Sequence, residues 1–304
     1  MGCVFELMAH SHPAEFLRDA ATEAFDEVDR IEAQLSHYRA DSDISDLNER
    51  GAEMWVRLEP ELYTLLCRAQ RIAVLTGGAF DMTAANLVRA WGFHGGSGRA
   101  PTPEALGEAM AATGFRLLQF DAERSSIRFS RPGVRVQLGA LGKGYAVDRI
   151  GDVLRRCGVG SALIHAGTSS VLALGSLPDA GSWEVGFRSG ASTESRLGVF
   201  RLRDQALSIS GDYEQYFELD GVRMSHVLDP RNGFPVRGVR TAAVVSDNAA
   251  DSDALSTAAF VAGPGAALEL VERFPGIGLA LVPDDGRPPL IAGSCPLTLE
   301  GGAG

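Results

Sequence analysis

A chain of 304 residues with 45% hydrophobic and 22% charged residues has the make-up of an ordinary globular protein, long enough to bury a core without metals or disulfides. Its 28 basic and 39 acidic residues leave a net charge of −11, and no basic stripe interleaved with aromatics is present, which excludes a broad nucleic-acid-binding surface. Four scattered cysteines (Cys3, Cys67, Cys157, Cys295) form no CxxC pair, which excludes a disulfide framework and a cysteine-based zinc site.

The apolar run Val4 to Ala9 predicts a strand. Only two residues precede Cys3, too few for the basic and apolar segments of a signal peptide, so no leader is expected and the chain as it stands reads as cytoplasmic. No stretch approaches the roughly 18 apolar residues of a membrane span. After Pro13, Leu17, Ala21, Ala24, Val28, Ile31 and Leu35 recur every three or four positions and predict a long amphipathic helix. The polar segment Ser36 to Asn48 suits a loop or short helical turns.

Helices are predicted over Pro60 to Thr76, stopping at Gly77-Gly78, over Ala84 to Trp91 and over Pro103 to Gly114, with a loose loop from Gly95 to Pro103. Strands follow at Leu117–Asp121 and Ser126–Phe129. The turn Gly139 to Gly144 leads into a helix ending near Gly158. Ala162–His165, Val171–Leu174, Trp183–Phe187 and Val199–Leu202 predict strands. Ser208–Leu219 and Val222–Val227 suggest a hairpin turning at Asp220-Gly221. Thr241–Ser246 reads as a strand, Asp251–Val261 as a helix and Gly278–Val282 as a strand. Strands and helices mix without strict alternation, and no segment has linker composition. The expectation is therefore one α+β domain over residues 1–304, with mixed sheets flanked by helices.

Four motifs can carry chemistry. In Leu138-Gly-Ala-Leu-Gly-Lys-Gly-Tyr145, backbone N–H groups at a helix start and the Lys143 ammonium suit a phosphate, although a plain strand-to-helix turn explains the glycines too. In Asp253-Ala-Leu-Ser-Thr257, positions i and i+4 put a carboxylate and a hydroxyl on one helix face, suited to Mg²⁺; Asp253 or Ser252 could equally cap the helix. His226, at a strand end before Asp229-Pro230, can bind or protonate a substrate oxygen or be structural. In Thr76-Gly-Gly-Ala-Phe80-Asp81-Met-Thr83, the glycines permit close approach of a ligand and Phe80 offers a ring; a helix stop followed by a core phenylalanine explains them as well.

In order and wording these segments resemble the FAD:protein FMN transferase (ApbE) family from Met1-Gly2 to about Gly263. The likeness includes Leu35-Ser-His-Tyr-Arg-Ala-Asp-Ser42, Gly78-Ala-Phe-Asp81 with Trp91-Gly-Phe93, and Gly144-Tyr-Ala-Val-Asp148. Ser210-Gly-Asp-Tyr213, His226-Val-Leu-Asp-Pro230 and Asp253-Ala-Leu-Ser-Thr257 complete it. The resemblance implies an ApbE-like flavin transferase fold and Mg²⁺-dependent transfer of FMN from FAD to a threonine or serine hydroxyl of an acceptor protein, with release of AMP. Asp253, Thr257 and the Ala140 carbonyl are then the metal ligands. Met1, Tyr38, Ala79, Phe80, Asp81, Gln137, Lys143 and His226 are the nucleotide contacts, and His226 and Asp253 the catalytic pair. Many relatives are periplasmic lipoproteins. Two departures stand out: Gln137 occupies a position usually Asp, and Gly167-Thr168-Ser169 replaces Gly-Gly-Asp. The competing readings are an Mg²⁺-dependent FAD pyrophosphatase and a non-catalytic FAD-binding protein.

Overall fold

A computed structural model describes residues 2–94, 98–189, 196–213 and 215–300. Met1, and part of the loose loop expected after Gly95, lie outside the described residues. In chain order the helices are α1 (Ala14–Leu35), α2 (Asp43–Arg50), α3 (Pro60–Leu75), α4 (Ala85–Ala90), α5 (Pro103–Ala111), α6 (Gly142–Arg156) and α7 (Ala249–Arg273). The strands are β1 (Phe5–Ala9), β2 (Val56–Arg57), β3 (Leu118–Asp121), β4 (Ser126–Phe129), β5 (Ala162–Ala166), β6 (Ser170–Leu174), β7 (Trp183–Arg188) and β8 (Arg196–Leu202). They continue with β9 (Gln205–Gly211), β10 (Tyr216–Leu219), β11 (Val222–Ser225), β12 (Val239–Ser246), β13 (Gly278–Pro283), β14 (Leu290–Gly293) and β15 (Leu297–Leu299). The chain divides into two compact units. One comprises Met1–Glu32, Ala140–Gly211 and Gly238–Gly304; the other comprises Ala33–Gly139 and Asp212–Arg237.

The first unit is layered on a seven-stranded sheet in the order β1-β5-β6-β9-β12-β13-β14. Successive strand residues face opposite sides, so β5 sends Ala162, Ile164 and Ala166 to one core and Leu163 to another. On one face, Ala20, Ala24 and Val28 of α1 and Val147, Ile150 and Leu154 of α6 fill the core. On the other face, Trp183, Phe187, Phe200 and Leu202 come from a three-stranded sheet, β15-β8-β7.

The second unit holds α2 to α5, the sheet β2-β4-β3 and the hairpin β10-β11. Its cluster of Leu87, Trp91, Phe93, Ala109 and Leu228 is tied by the Trp91 indole N–H, which donates to the Gly233 carbonyl at 2.7 Å. Of the loop or short helical turns expected over Ser36 to Asn48, the second alternative appears as α2, which Ser42 caps by accepting from the Ser45 amide.

The α+β class is as expected, with corrections in detail. Every strand pair is antiparallel among the described residues, where mixed sheets were expected. The hairpin does turn at Asp220-Gly221, both at positive φ, but Ser208–Leu219 is not one strand. Its first part is β9, in the large sheet, and its last part is β10, in the second unit.

Helix α7 continues twelve residues beyond the expected Val261, to Arg273, with a kink where Gly263 adopts φ 72° and ψ 176° ahead of Pro264. Proline disfavours helical geometry in the residue before it, and glycine accepts the positive φ. By length and composition α7 is apolar enough to cross a membrane, although Ser, Thr, Gly and Pro residues interrupt its apolar run. Half of its most apolar stretch is buried and the helix packs on β9 and β12, as the alanine-rich core helix of a layered fold does.

Candidate active site

Two helix starts meet in the first unit. At α6, Leu141 stands at the N-cap position without a side-chain capping bond, leaving first-turn amides to find other partners. The Gly144 amide donates to Asp253 Oδ2 at 3.0 Å. Asp253 lies one turn inside α7 and is only 4% exposed, and Lys143 Nζ sits 3.7 Å from its Oδ1. The carboxylate therefore reaches across to α6 instead of capping its own helix. That task falls to Asn248, whose side chain accepts from the Asp251 amide, and to Asp148 on α6, whose two oxygens accept from the Ala249 and Ala250 amides at 2.7 and 2.9 Å. The helices come so close that a Cβ on Gly144 would stand 2.0 Å from the Ala249 carbonyl oxygen.

Thr257 follows Asp253 by one turn on the same face. Its hydroxyl lies 3.3 Å from Ser210 Oγ and 3.4 Å from the Asp253 carbonyl oxygen. Ala140 lies in the turn before α6. A carboxylate, a hydroxyl and a carbonyl are hard oxygen donors of the type that hold Mg²⁺. Among the described residues no group of three or more His, Cys, Asp or Glu is gathered for a metal. One carboxylate with neutral oxygens fits Mg²⁺ bound together with substrate phosphates, and does not fit an all-protein cage.

The second unit presents other chemistry. Tyr38 is 71% exposed and stacks on His94 with ring centroids 5.1 Å apart and planes at 19°; His37 lies 3.9 Å from it. Gln137 lines a cleft of about 400 Å³ with His37, Asn48, Arg89, His94 and Arg135. Burial, then the neighbouring His94, hold the His37 pKa below the usual histidine value.

His226 Nδ1 lies 3.1 Å from the Gln215 carbonyl oxygen. A carbonyl only accepts, so Nδ1 carries the hydrogen and Nε2 is the basic nitrogen of the neutral ring. Asp81 is engaged on both oxygens: Oδ1 accepts from the Thr83 amide and hydroxyl within its loop, and Oδ2 accepts from the Phe115 amide, 34 residues away. Burial raises its pKa against these three hydrogen bonds.

Phe80 is 3% exposed and Ala79 is buried as well, so the Phe80 ring is not an open stacking surface. Of the two readings of Phe80, the burial favours the core phenylalanine: an apolar side chain next to a helix stop gains by entering the core. Thr168 and Ser169 form the turn between β5 and β6, and the Ser169 carbonyl accepts from the Ile209 amide at 2.7 Å.

The sequence profile of the ApbE family matches residues 1–281. The chain belongs to the ApbE family. It is 33% identical over 288 residues to the FAD:protein FMN transferase of Treponema pallidum (strain Nichols), covering 90% of this chain and 79% of that protein. To the enzyme of the same name from Klebsiella pneumoniae (strain 342) it is 31% identical over 267 residues, covering 86% and 80%. The crystal structure of the ApbE protein from Thermotoga maritima superposes with a TM-score of 0.85 at 30% identity, covering 96% of this chain and 94% of that one. The flavin transferase ApbE from Vibrio cholerae superposes at 0.86 and 26% identity, covering 97% and 94%.

Within this ApbE-family chain the structure gathers Lys143, Asp253 and Thr257 in one unit. Tyr38, Ala79, Phe80, Asp81, Gln137 and His226 belong to the other. Sequence reasoning did not assign roles to Asp148, Ser210, His37 or His94. The i, i+4 spacing of Gly144 and Asp148 was a readable sign of a shared helix face. The Ser210 contact had no such sign, since strand and helix are 46 residues apart in sequence at that point.

Proposed function

We propose that the protein is an FAD:protein FMN transferase, moving the FMN half of FAD to a threonine or serine hydroxyl of an acceptor protein and releasing AMP. The observation that carries the reading is the buried Asp253 carboxylate between the Gly144 amide and the Lys143 ammonium, one turn from the Thr257 hydroxyl. The shared name of the Treponema and Klebsiella relatives supports the same reaction. Asp253, Thr257 and the Ala140 carbonyl would hold Mg²⁺, which when bound neutralises pyrophosphate charge and the charge building on the leaving AMP.

The acceptor hydroxyl oxygen forms a bond to the FMN-side phosphorus, the bond from that phosphorus to the bridging oxygen breaks, and AMP departs with the bridging oxygen. Lys143 supplies positive charge for the phosphate oxygens. Gly144 and Asp148 hold the two helix starts together, so Asp253 needs little reorganisation. His226 is the residue we assign to the hydroxyl proton, since its Nδ1 bond leaves Nε2 basic. Tyr38 offers an aromatic face to the nucleotide.

The test is incubation of the protein with FAD, Mg²⁺ and a threonine-bearing acceptor peptide. AMP is followed by chromatography and peptide flavinylation by mass. Stoichiometric AMP and flavinylated peptide are expected. AMP without peptide modification identifies a pyrophosphatase using water, and FAD binding without AMP release identifies a carrier; either result overturns the transferase reading.

A further inference from the structure

Helix α7 meets strand β9 through paired serines. Ser208 Oγ lies 2.9 Å from Ser252 Oγ, and Ser210 Oγ lies 2.9 Å from Ser256 Oγ. Strand residues two apart share a face about 6.7 Å apart, and helix residues four apart rise about 6 Å, so the two spacings match. The match makes a two-rung ladder that sets the register of α7 on the sheet.

The protons in this ladder can be assigned by counting. Ser252 Oγ donates to the Ala249 carbonyl and Ser256 Oγ to the Asp253 carbonyl, each at 3.0 Å. A hydroxyl has one proton, so Ser208 and Ser210 are the donors across the ladder. The Asp253 carbonyl also serves the helix as an i→i−4 acceptor, which fills both its lone pairs. The Thr257 hydroxyl is within reach of two acceptors, the Asp253 carbonyl at 3.4 Å and Ser210 Oγ at 3.3 Å; the carbonyl already accepts from Ser256 and from the helix, so Ser210 Oγ is the less crowded of the two.

We infer that Ser210 is a positioning residue: its oxygen accepts the Thr257 hydroxyl hydrogen bond and so turns the Thr257 oxygen lone pairs toward a divalent cation. This inference rests on the reading of Thr257 as a metal ligand. A neutral hydroxyl binds a cation only through oxygen, so its proton must be directed elsewhere. The outer ladder serine does this, while the Ser208–Ser252 rung serves register alone.

The experiment titrates the full chain with Mn²⁺, a hard divalent ion with the same ligand preference, read by loss of the free-ion EPR signal. Loss of a residue that orients a metal ligand typically weakens affinity 10–100-fold, and Ser210→Ala is expected to do so by about tenfold. Ser210→Thr, which keeps the acceptor oxygen, should bind Mn²⁺ as the wild type does. Ser208→Ala should lower the urea midpoint and leave Mn²⁺ affinity unchanged. In a Thr257→Val background, Ser210→Ala should have no further effect, because the partner it acts through is gone. Wild-type affinity in Ser210→Ala, alongside lost affinity in Asp253→Ala, overturns the inference and leaves the metal reading standing. An equal loss of affinity in Ser208→Ala overturns it too, since register alone would then be at work. Wild-type affinity in Asp253→Ala removes the metal reading itself, and the inference with it.

Discussion

Two regions supply the candidate site residues, and they are held in opposite ways. At the meeting of α6 and α7, Asp253 is 4% exposed and tied to a backbone amide, with Asp148 capping the neighbouring helix through two more amides. In the second unit Tyr38 is 71% exposed and its ring rests on the His94 and His37 rings. The carboxylate we assign to managing charge is fixed by a backbone hydrogen bond in a buried place, where electrostatic interactions are strongest. The Tyr38 ring, which we assign to stacking, is open. The lesson is that a charged ligand site must be built into the packing, while a stacking surface needs only to be left uncovered.

The contrast predicts a ranking of effects. Asp253→Ala should lower Mg²⁺-dependent AMP release on the order of 1000-fold, the equivalent of several kcal/mol of lost charge stabilisation. Circular dichroism should show the fold retained, and undiminished AMP release would break the comparison at its centre.

Gly144→Ala tests the packing directly. The added methyl meets the Ala249 carbonyl oxygen at 2.0 Å, and the helices must separate. Overpacking of this kind costs about 3 kcal/mol, which a urea unfolding curve would resolve.

Tyr38→Ala should do the reverse. FAD affinity, measured by flavin fluorescence, should fall about tenfold, in line with roughly 1–3 kcal/mol per stacked ring, while the urea midpoint stays where it was. A lowered midpoint would mean that Tyr38 is part of the packing after all.

The smallest effect concerns Asp81. Burial raises its folded pKa above the unfolded 3.8, so it contributes stability that is present below that value and is lost as pH rises through the folded pKa. Relative to Asp81→Asn, which does not titrate, the wild type should lose stability as the pH is raised from below 3.8. Urea midpoints of the two proteins across the acidic range give the difference, and a difference independent of pH rejects the buried-acid reading.

Much of this was legible along the chain. The apolar spacing from Leu17 to Leu35 gave α1, because a helix that covers a sheet must repeat its apolar face every three to four residues. The Asp220-Gly221 pair gave the β10-β11 turn, because that turn needs positive φ at both positions. The i, i+4 pair Asp253 and Thr257 gave one helix face, since that relation is internal to the helix.

What the tertiary structure decided depends on distance in sequence. Whether Asp253 capped α7 or served another partner could not be read from α7, because the answer is an amide 109 residues away in α6. Phe80 could be a ligand platform or a core residue on local grounds, and only its neighbours in space bury it. The split of Ser208–Leu219 between two units is likewise invisible in a run of strand-forming residues. Periodicity and turn chemistry are short-range properties that the sequence alone determined. Burial, hydrogen-bond partners and strand neighbours are properties of chain segments brought together, and only the folded chain determines which segments those are.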